Sequence, residues 1–414
     1  MKAGLIGEKL GHSFSKPIHE SIADYTYSLI PLSRQEFPAF MEKRDFDAIN
    51  VTIPYKEAVI PYCDYIDEKA KQIGAVNAIK KVDGRLYATN TDFDGLKWMI
   101  EKRFDLVDST VAILGSGGTS KTAYAVCKAL GAKRIIQVAR NRQAPYITYG
   151  QFENCTDADY IINTTSVGMY PDIMSAVIDM SHFPHCKGVV DVVYNPLTTS
   201  LCLAAKQMGI PYICGLEMLV GQAVSAVEFF TGKTVDHSVI ERITADLYKS
   251  KQNLVLIGMP GCGKTTLGTV LAEKLGMDFA DMDAEIEKNA GMTIPQIFKR
   301  YGEQYFRTLE TKTALELAKH SHTVISCGGG VVKNSTNMHA LALNGLVVYI
   351  DRDTKKLAAG GNRPLSSDQK AIEKLYGERH SLYKKYSDIT VDNNTDIDTA
   401  TEKLTEVWNE NSCY

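Results

Sequence analysis

The stretch LVLIGMPGCGKTTLG, residues 254–268, decides the reading of this chain. An apolar run enters Gly258, a loop follows, and Gly263-Lys264-Thr265 opens a helix-like segment. Gly258-x4-Gly263-Lys264-Thr265 is the complete triphosphate-loop pattern. Gly258, Pro260, Gly261, Cys262, Gly263, Lys264, Thr265 and Thr266 would line it, with backbone N–H groups cradling phosphates. Lys264 would reach the β and γ oxygens, and the Thr265 hydroxyl would hold Mg²⁺. Such loops usually open a domain, yet here about 250 residues come first.

The remaining composition narrows what those residues can be. A chain of 414 residues suggests two or three domains. Apolar content of 44% and charged content of 23% are ordinary for a globular protein, and a net charge of -3 points to neither nucleic acid nor a membrane surface. No apolar run has transmembrane length, and the N-terminal MKAGLIGEKLGHS lacks the apolar core of a signal peptide. Nine cysteines without a C-x-x-C pair fit reduced thiols and a cytoplasmic location rather than disulfides or a structural metal.

Short β-branched runs alternate with helical patterns. TVAILG (110–115), RIIQVA (134–139), YIINTT (160–165) and GVVDVVY (188–194) read as buried parallel strands, with SKTAYAVCKALG (120–131) helical between the first two. KAGLIG, AINVTIP and AVNAIKK are strand-like before residue 100, and KPIHESIADY is helical. A second series starts at 254, with LVLIG, TVISCGGG (323–330) and LVVYID (346–351). The fold class is α/β throughout. The seam is YKSKQN (248–253), which passes into the loop strand without a Gly/Ser/Pro linker, so the expected units are 1–249 and 250–414.

ILGSGGTSKTA (113–123) is a second glycine-rich loop between strand and helix. Gly115, Gly117 and Gly118, with Ser116 and Thr119, would make a tight turn that brings backbone N–H groups to a pyrophosphate; Ser120 stands where a third glycine is common. The next strand ends in Arg140 and Arg142, where an NAD site would carry an acid. Arginines suit a 2′-phosphate, so the expected cofactor is NADP(H).

Seven segments stand in order around that loop: GEKLGHSFSKPIH (7–19), NVTIPYK (50–56), GAVNAI (74–79), NTDFDG (90–95), NTTSVGM (163–169), DVVYNPLTT (191–199) and GLEMLVGQA (215–223). Together the first 245 or so residues resemble the shikimate dehydrogenase family. The resemblance implies two lobes: a substrate lobe of 1–103 plus 220–249, and a Rossmann NADP lobe of 104–219, with the helix near 216–248 returning to the first. Ketone reduction needs a proton for the developing alkoxide, and Lys56 is the candidate acid/base with Asp92 as its partner and a substrate contact. Ser13 and Ser15, on one face if extended, would bind a carboxylate. The resemblance gives Thr52, Asn77 and Gln222 the ring hydroxyls, Tyr194 a place near the carboxylate, and Gly215 and Met218 a place beside the cofactor. Lys16, Glu20 and Ala139 depart from the family pattern, the last leaving the degree of NADP preference open.

After the triphosphate loop come FADMDAEIE (279–287), GEQYFRTLE (302–310), CGGGVV (327–332), GNRPL (361–365) and ERHSLY (378–383). These resemble the shikimate kinase family over residues 252–408, a P-loop fold of the nucleoside-monophosphate-kinase type. Asp281 and Asp283, on one face of an extended segment, would serve the Mg²⁺ shell and the attacking hydroxyl respectively. Arg307, Gly328, Gly329, Gly330 and Arg379 would hold a carboxylate and hydroxyls, and Glu310 would brace Arg307. Arg363 would be the lid arginine over ATP. Ser366-Ser367-Asp368 departs from the usual apolar continuation.

Both resemblances converge on one molecule: reduction of 3-dehydroshikimate, then phosphorylation of shikimate with MgATP. Two other readings stay open here, quinate oxidation beside another sugar-acid kinase, and a nucleotide sensor with one silent unit. The expected partners are small molecules, with neither nucleic acid nor membrane among them.

Overall fold

A computed structural model describes residues 1–11, 13–141, 143, 145–154, 157–357 and 368–411. The chain forms two compact units, one of residues 1–169, 175–195 and 201–244, the other of 170–174, 196–200 and 245–414.

The first unit contains two sheets. The six-stranded sheet comprises β1 (Ala3–Gly7), β2 (Tyr27–Pro31), β3 (Ala48–Val51), β4 (Tyr65–Ile66), β5 (Ala78–Val82) and β6 (Arg85–Thr89), in the order β2-β1-β3-β5-β6-β4. It is mixed: β1 runs parallel to β2 and β3, whereas β5 is antiparallel to β3 and β6. The β5–β6 turn is Asp83-Gly84, both at positive φ (50° and 78°), the conformation that a tight hairpin demands. The second sheet, β7 (Thr110–Leu114), β8 (Arg134–Val138), β9 (Tyr160–Asn163), β10 (Gly188–Asp191) and β11 (Tyr212–Cys214), is wholly parallel in the order β11-β10-β9-β7-β8. The order reverses beside β7, and the crevice at such a reversal is where nucleotides bind. The glycine-rich loop leaves β7 there.

The helix expected near 216–248 is two helices, Leu216–Thr231 and Ser238–Lys251. Gly232, at φ 68°, ends the first by donating its N–H to the Glu228 carbonyl. The first packs on helix Ser15–Ile22 and β5. Its closest neighbour is helix Thr91–Glu101. A Cβ on Gly95 would lie 2.5 Å from the Met218 carbonyl and 2.7 Å from the Gln222 nitrogen, so the two backbones touch and Asp92 is carried toward Gln222.

The second unit has one parallel sheet of β12 (Asn253–Ile257), β13 (Asp278–Asp281), β14 (Thr323–Ser326), β15 (Gly345–Asp351) and β16 (Ile389–Asp392), ordered β13-β14-β12-β15-β16. Strand β12 is central and entirely buried, which is why it reads as an unbroken apolar run. Only Gln252 separates it from helix Ser238–Lys251. Helix Ile294–Leu317 is broken at Gly302 (φ 80°, ψ 173°). Among the described residues, no helix is long and apolar enough to cross a membrane.

Candidate functional sites

In the first unit, Lys56 lies beyond β3 and Asp92 in the first turn of helix Thr91–Glu101. The Lys56 carbonyl accepts from the Val76 N–H at 2.8 Å, which fixes the loop, and Asn90 caps the helix through the Phe93 N–H at 3.2 Å. The Lys56 Nζ then meets Asp92 Oδ2 at 2.6 Å, with side chains only 17% and 10% exposed. An ammonium held this way can donate a proton to an oxygen beside it and take one back.

Asn77 is buried, and its amide is engaged by the protein: Oδ1 accepts from the Thr91 N–H at 2.6 Å and Nδ2 donates to Thr91 Oγ1 at 3.1 Å. It therefore braces the residue next to Asp92. Gln222 Nε2 donates to the Leu219 carbonyl at 2.8 Å, and Thr52 is half-buried just past β3.

Ser13 and Ser15 are not extended. Phe14 between them has φ -85° and ψ -1°, Ser15 begins a helix, and its N–H donates to Ser13 Oγ at 3.2 Å. The serines form a helix-entry turn instead of one face of a strand, because the chain must bend into helix Ser15–Ile22. The Phe14 ring lies 5.5 Å from the Tyr194 ring, which brings Tyr194, far along the chain, to that turn. Burial raises the Tyr194 phenol, keeping it a hydrogen-bond donor. Tyr194 is positioned by a residue that sequence reasoning missed. Asp191, fully buried at the end of β10, accepts from the Val193 N–H at 3.0 Å and from Asn163 Nδ2 at 3.0 and 3.1 Å. Its signal was a pair of polar residues ending two apolar strands inside quoted motifs.

At the first glycine-rich loop, Gly115 has φ 123°, and a Cβ there would lie 2.6 Å from Thr164 Oγ1. Helix Gly118–Ala129 starts at Gly117 without a side-chain cap, and a Cβ on Gly117 would meet nothing within 4 Å. That open, uncapped helix start fits a pyrophosphate. Ser116 is exposed and Thr119 half-exposed, but Ser120 is fully buried and its hydroxyl donates to the Gly115 carbonyl at 2.8 Å. Ser120 shapes the turn rather than facing it. Arg140 is exposed just past β8, and Arg142 lies outside the described residues. Met218 is buried among Leu96, Met99 and Ile113, and a Cβ on Gly215 would collide with the Val192 carbonyl, so the backbone there packs tightly.

The second unit carries a cavity of about 300 Å³ that the triphosphate loop, Asp281, Asp283, Arg307, Gly328–Gly330 and Arg379 line. Gly258, Gly261 and Gly263 all have positive φ (149°, 81° and 99°), and Gly263 starts helix Lys264–Leu275 without a side-chain cap. The Cys262 carbonyl is held by Asn393 Nδ2 at 2.7 Å. Lys264 is folded back, its Nζ donating to the Gly258 and Met259 carbonyls at 3.0 and 2.9 Å.

Asp281 and Asp283 do not share an extended face. Asp281 ends β13 and caps helix Met282–Ala290: its Oδ1 accepts from the Asp283 and Ala284 N–H groups at 3.0 and 3.1 Å. Its Oδ2 accepts from Thr265 Oγ1 at 2.7 Å. The pair of oxygens fits Mg²⁺, which keeps several waters and needs few protein ligands. Asp283 sits one step inside the helix. Burial first, and repulsion from Asp281 second, push its carboxyl up to about 6.

Each of the three glycines 328–330 admits one neighbour. A Cβ on Gly328 would lie 2.6 Å from Asp283 Oδ1, one on Gly329 would lie 2.7 Å from the Pro260 ring, and one on Gly330 would collide with the Arg307 guanidinium. Arg307 Nη1 donates to both oxygens of buried Glu310, at 3.0 and 2.9 Å, so Glu310 does brace it. Arg379 Nη1 donates to the Gly329 carbonyl at 2.9 Å, and Tyr383, another residue missed in the sequence, donates to the same oxygen at 2.6 Å. Among the described residues the buried Arg379 Nε has no partner, and an anion is the natural complement of such a donor. Arg363 lies outside the described residues.

Comparison with known proteins places both halves. The model described as shikimate dehydrogenase substrate binding domain matches residues 5–79, that of the shikimate 5'-dehydrogenase C-terminal domain matches 215–243, and that of shikimate kinase matches 260–409. The NADP(+) shikimate dehydrogenase of Clostridium perfringens is 37% identical over 263 residues, spanning 59% of this chain and 97% of that protein. The shikimate kinase of Clostridium botulinum is 41% identical over 161 residues, spanning 38% of this chain and 97% of that protein. The crystal structure of shikimate dehydrogenase 1 from Peptoclostridium difficile matches with a TM-score of 0.57 at 31% identity, covering 60% of this chain and 98% of that one.

Proposed function

The chain belongs to the shikimate dehydrogenase family over its first part and to the shikimate kinase family over its second, and on that premise we propose how the two parts work. It is a bifunctional enzyme of the shikimate pathway, using NADP in one unit and ATP with Mg²⁺ in the other. The first unit reduces 3-dehydroshikimate to shikimate, and the second phosphorylates that shikimate on its 3-hydroxyl. We place the functional boundary at 249/250, five residues beyond the 244/245 division of the compact units.

NADPH supplies the hydride and MgATP the phosphoryl group. The chain's own residues do the rest. Lys56 stabilises the developing alkoxide and gives it a proton, with Asp92 holding the ammonium and a ring hydroxyl. The Ser13–Ser15 turn and Tyr194 take the carboxylate; Thr52, Asn77 and Gln222 take hydroxyls. In the second unit Asp283 takes the proton of the attacking hydroxyl, and Arg307 and Arg379 hold the carboxylate. Lys264 and Arg363 stabilise charge during transfer.

The observation that carries the pairing is the arrangement in the second cavity. Asp283 lines one cavity with Arg307 and Arg379, a set that fits an alcohol that also bears a carboxylate, and the first unit makes such an alcohol. The purified chain, given 3-dehydroshikimate and NADPH, is expected to yield shikimate without MgATP and shikimate 3-phosphate with it, followed by mass spectrometry. Shikimate persisting despite MgATP would sink the kinase assignment. Unconsumed dehydroshikimate would sink the dehydrogenase assignment and direct the test to quinate.

Arg140 is proposed to contact the 2′-phosphate. Charge-assisted hydrogen bonds contribute roughly 1.5–3 kcal/mol, so Arg140→Ala is expected to raise the NADPH KM by about tenfold or more. Rates with NADH should hardly change, and equal losses with both cofactors would remove Arg140 from this role. A cytoplasmic location is proposed as well, and the free thiols of Cys63, Cys127, Cys186, Cys262 and Cys327 support it.

A further inference from the structure

Arg307 already holds a second carboxylate besides Glu310. Its Nε and Nη2 both donate to Glu303 Oε1, at 3.2 and 3.0 Å. The two acids differ in character. The Glu310 side chain is 1% exposed and locked, whereas that of Glu303 is 43% exposed. Lys333 Nζ lies 3.6 Å from the same Glu303 oxygen, so a second cation is within reach. Glu303 also follows Gly302, whose φ of 80° breaks the helix beside it.

The Nε–Nη2 edge of a guanidinium is a fork that matches a carboxylate with two parallel bonds. In this structure that edge faces a side-chain carboxylate of the chain itself. Burying a cation is costly unless it is paired, so both carboxylates help to hold Arg307 in place. A ligand carboxylate and Glu303 cannot both use the edge.

We propose that Glu303 is a stand-in for the substrate carboxylate, seated on the Nε–Nη2 edge of Arg307 in the free enzyme and handed to Lys333 when a substrate carboxylate takes that edge. This deepens the kinase reading and rests on it. Glu303 is a positioning residue: it keeps Arg307 in place and competes with the ligand for it. An exposed i,i+4 ion pair is weak, so the competition is modest, about two- to fivefold in apparent affinity.

The test uses the full chain at saturating MgATP without NADP. Glu303→Gln is expected to lower the shikimate KM of the kinase about two- to fivefold. The ATP KM and the dehydrogenase rate should stay unchanged. Lys333→Gln is expected to raise that KM, and to lose this effect in the Glu303→Gln background. A merely bracing glutamate would give the opposite: Glu303→Gln would raise the KM. That result, or an unchanged KM, overturns the proposal. A second readout does not depend on the substrate's identity. Phenylglyoxal modification of Arg307, mapped by mass spectrometry, is expected to be faster in Glu303→Gln than in the unaltered chain; equal rates overturn the stand-in. An unaltered chain that fails to phosphorylate shikimate would refute the parent reading, and the phenylglyoxal comparison would still decide the place of Glu303.

Discussion

Replacing Lys56 with Met is expected to lower the dehydrogenase kcat by about 10²- to 10⁴-fold, the range that a positioned proton donor contributes. The kinase activity of the same chain should be unaltered, which makes each preparation its own control. The expectation comes from geometry. Lys56 is the cation of a half-buried pair with Asp92 at 2.6 Å, and the loop that carries it is tied to Val76. Lys56→Arg should not restore the rate, because a guanidinium keeps its proton and has another shape. Asp92→Asn separates the two parts of the role. It leaves Lys56 as an uncompensated cation and removes a hydroxyl contact, so both kcat and the substrate KM should worsen. Stopped-flow and steady-state rates in both directions would check this. A Lys56→Met chain that reduces dehydroshikimate within tenfold of normal would remove Lys56 from the chemistry.

The second large effect is expected at Asp283. Asp283→Asn should lower the kinase kcat by about 10²- to 10⁴-fold while the dehydrogenase is untouched. The pH dependence has a definite sign. A base acts as the carboxylate, so kcat/KM falls as pH drops through its pKa, by about tenfold per unit below it. Burial and Asp281 hold that carboxyl at about 6. A cation at Asp281 offsets the second cause, so with Mg²⁺ saturating the acid limb should lie below pH 6. Asp283→Asn should lose that limb, as kinase pH profiles with and without the substitution would show. A limb that survives the substitution belongs to another group.

Much of this was legible in order along the chain. Strands β7, β9, β10, β12 and β14 are buried on both faces, so they appear as short apolar runs with no alternation. The loops after β7 and β12 carry their chemistry locally, because a phosphate is bound by consecutive backbone groups. The hairpin at Asp83-Gly84 was equally readable but went unused, and with it the antiparallel half of the first sheet. Other residues misled because their local pattern allows two conformations. Asp281 and Asp283 would point one way in a strand, but the strand ends between them and the first becomes the cap of a helix. Ser13 and Ser15 were separated by a helix start in the same way.

By itself, the sequence determined the element types, the two nucleotide loops, and the pairing of a dehydrogenase with a kinase, since each rests on short-range periodicity or on residues that act as neighbours in the chain. Only the tertiary structure decided which atoms meet. Lys56 finds Asp92 because the loop after β3 packs against the first turn of helix Thr91–Glu101, Gly328–Gly330 are glycines because Asp283, Pro260 and Arg307 come too close for a side chain, and Arg307 is shared between Glu310 and Glu303. Local pattern records whether a residue is buried, whereas the identity of what it is buried against depends on packing between segments that lie far apart in the chain.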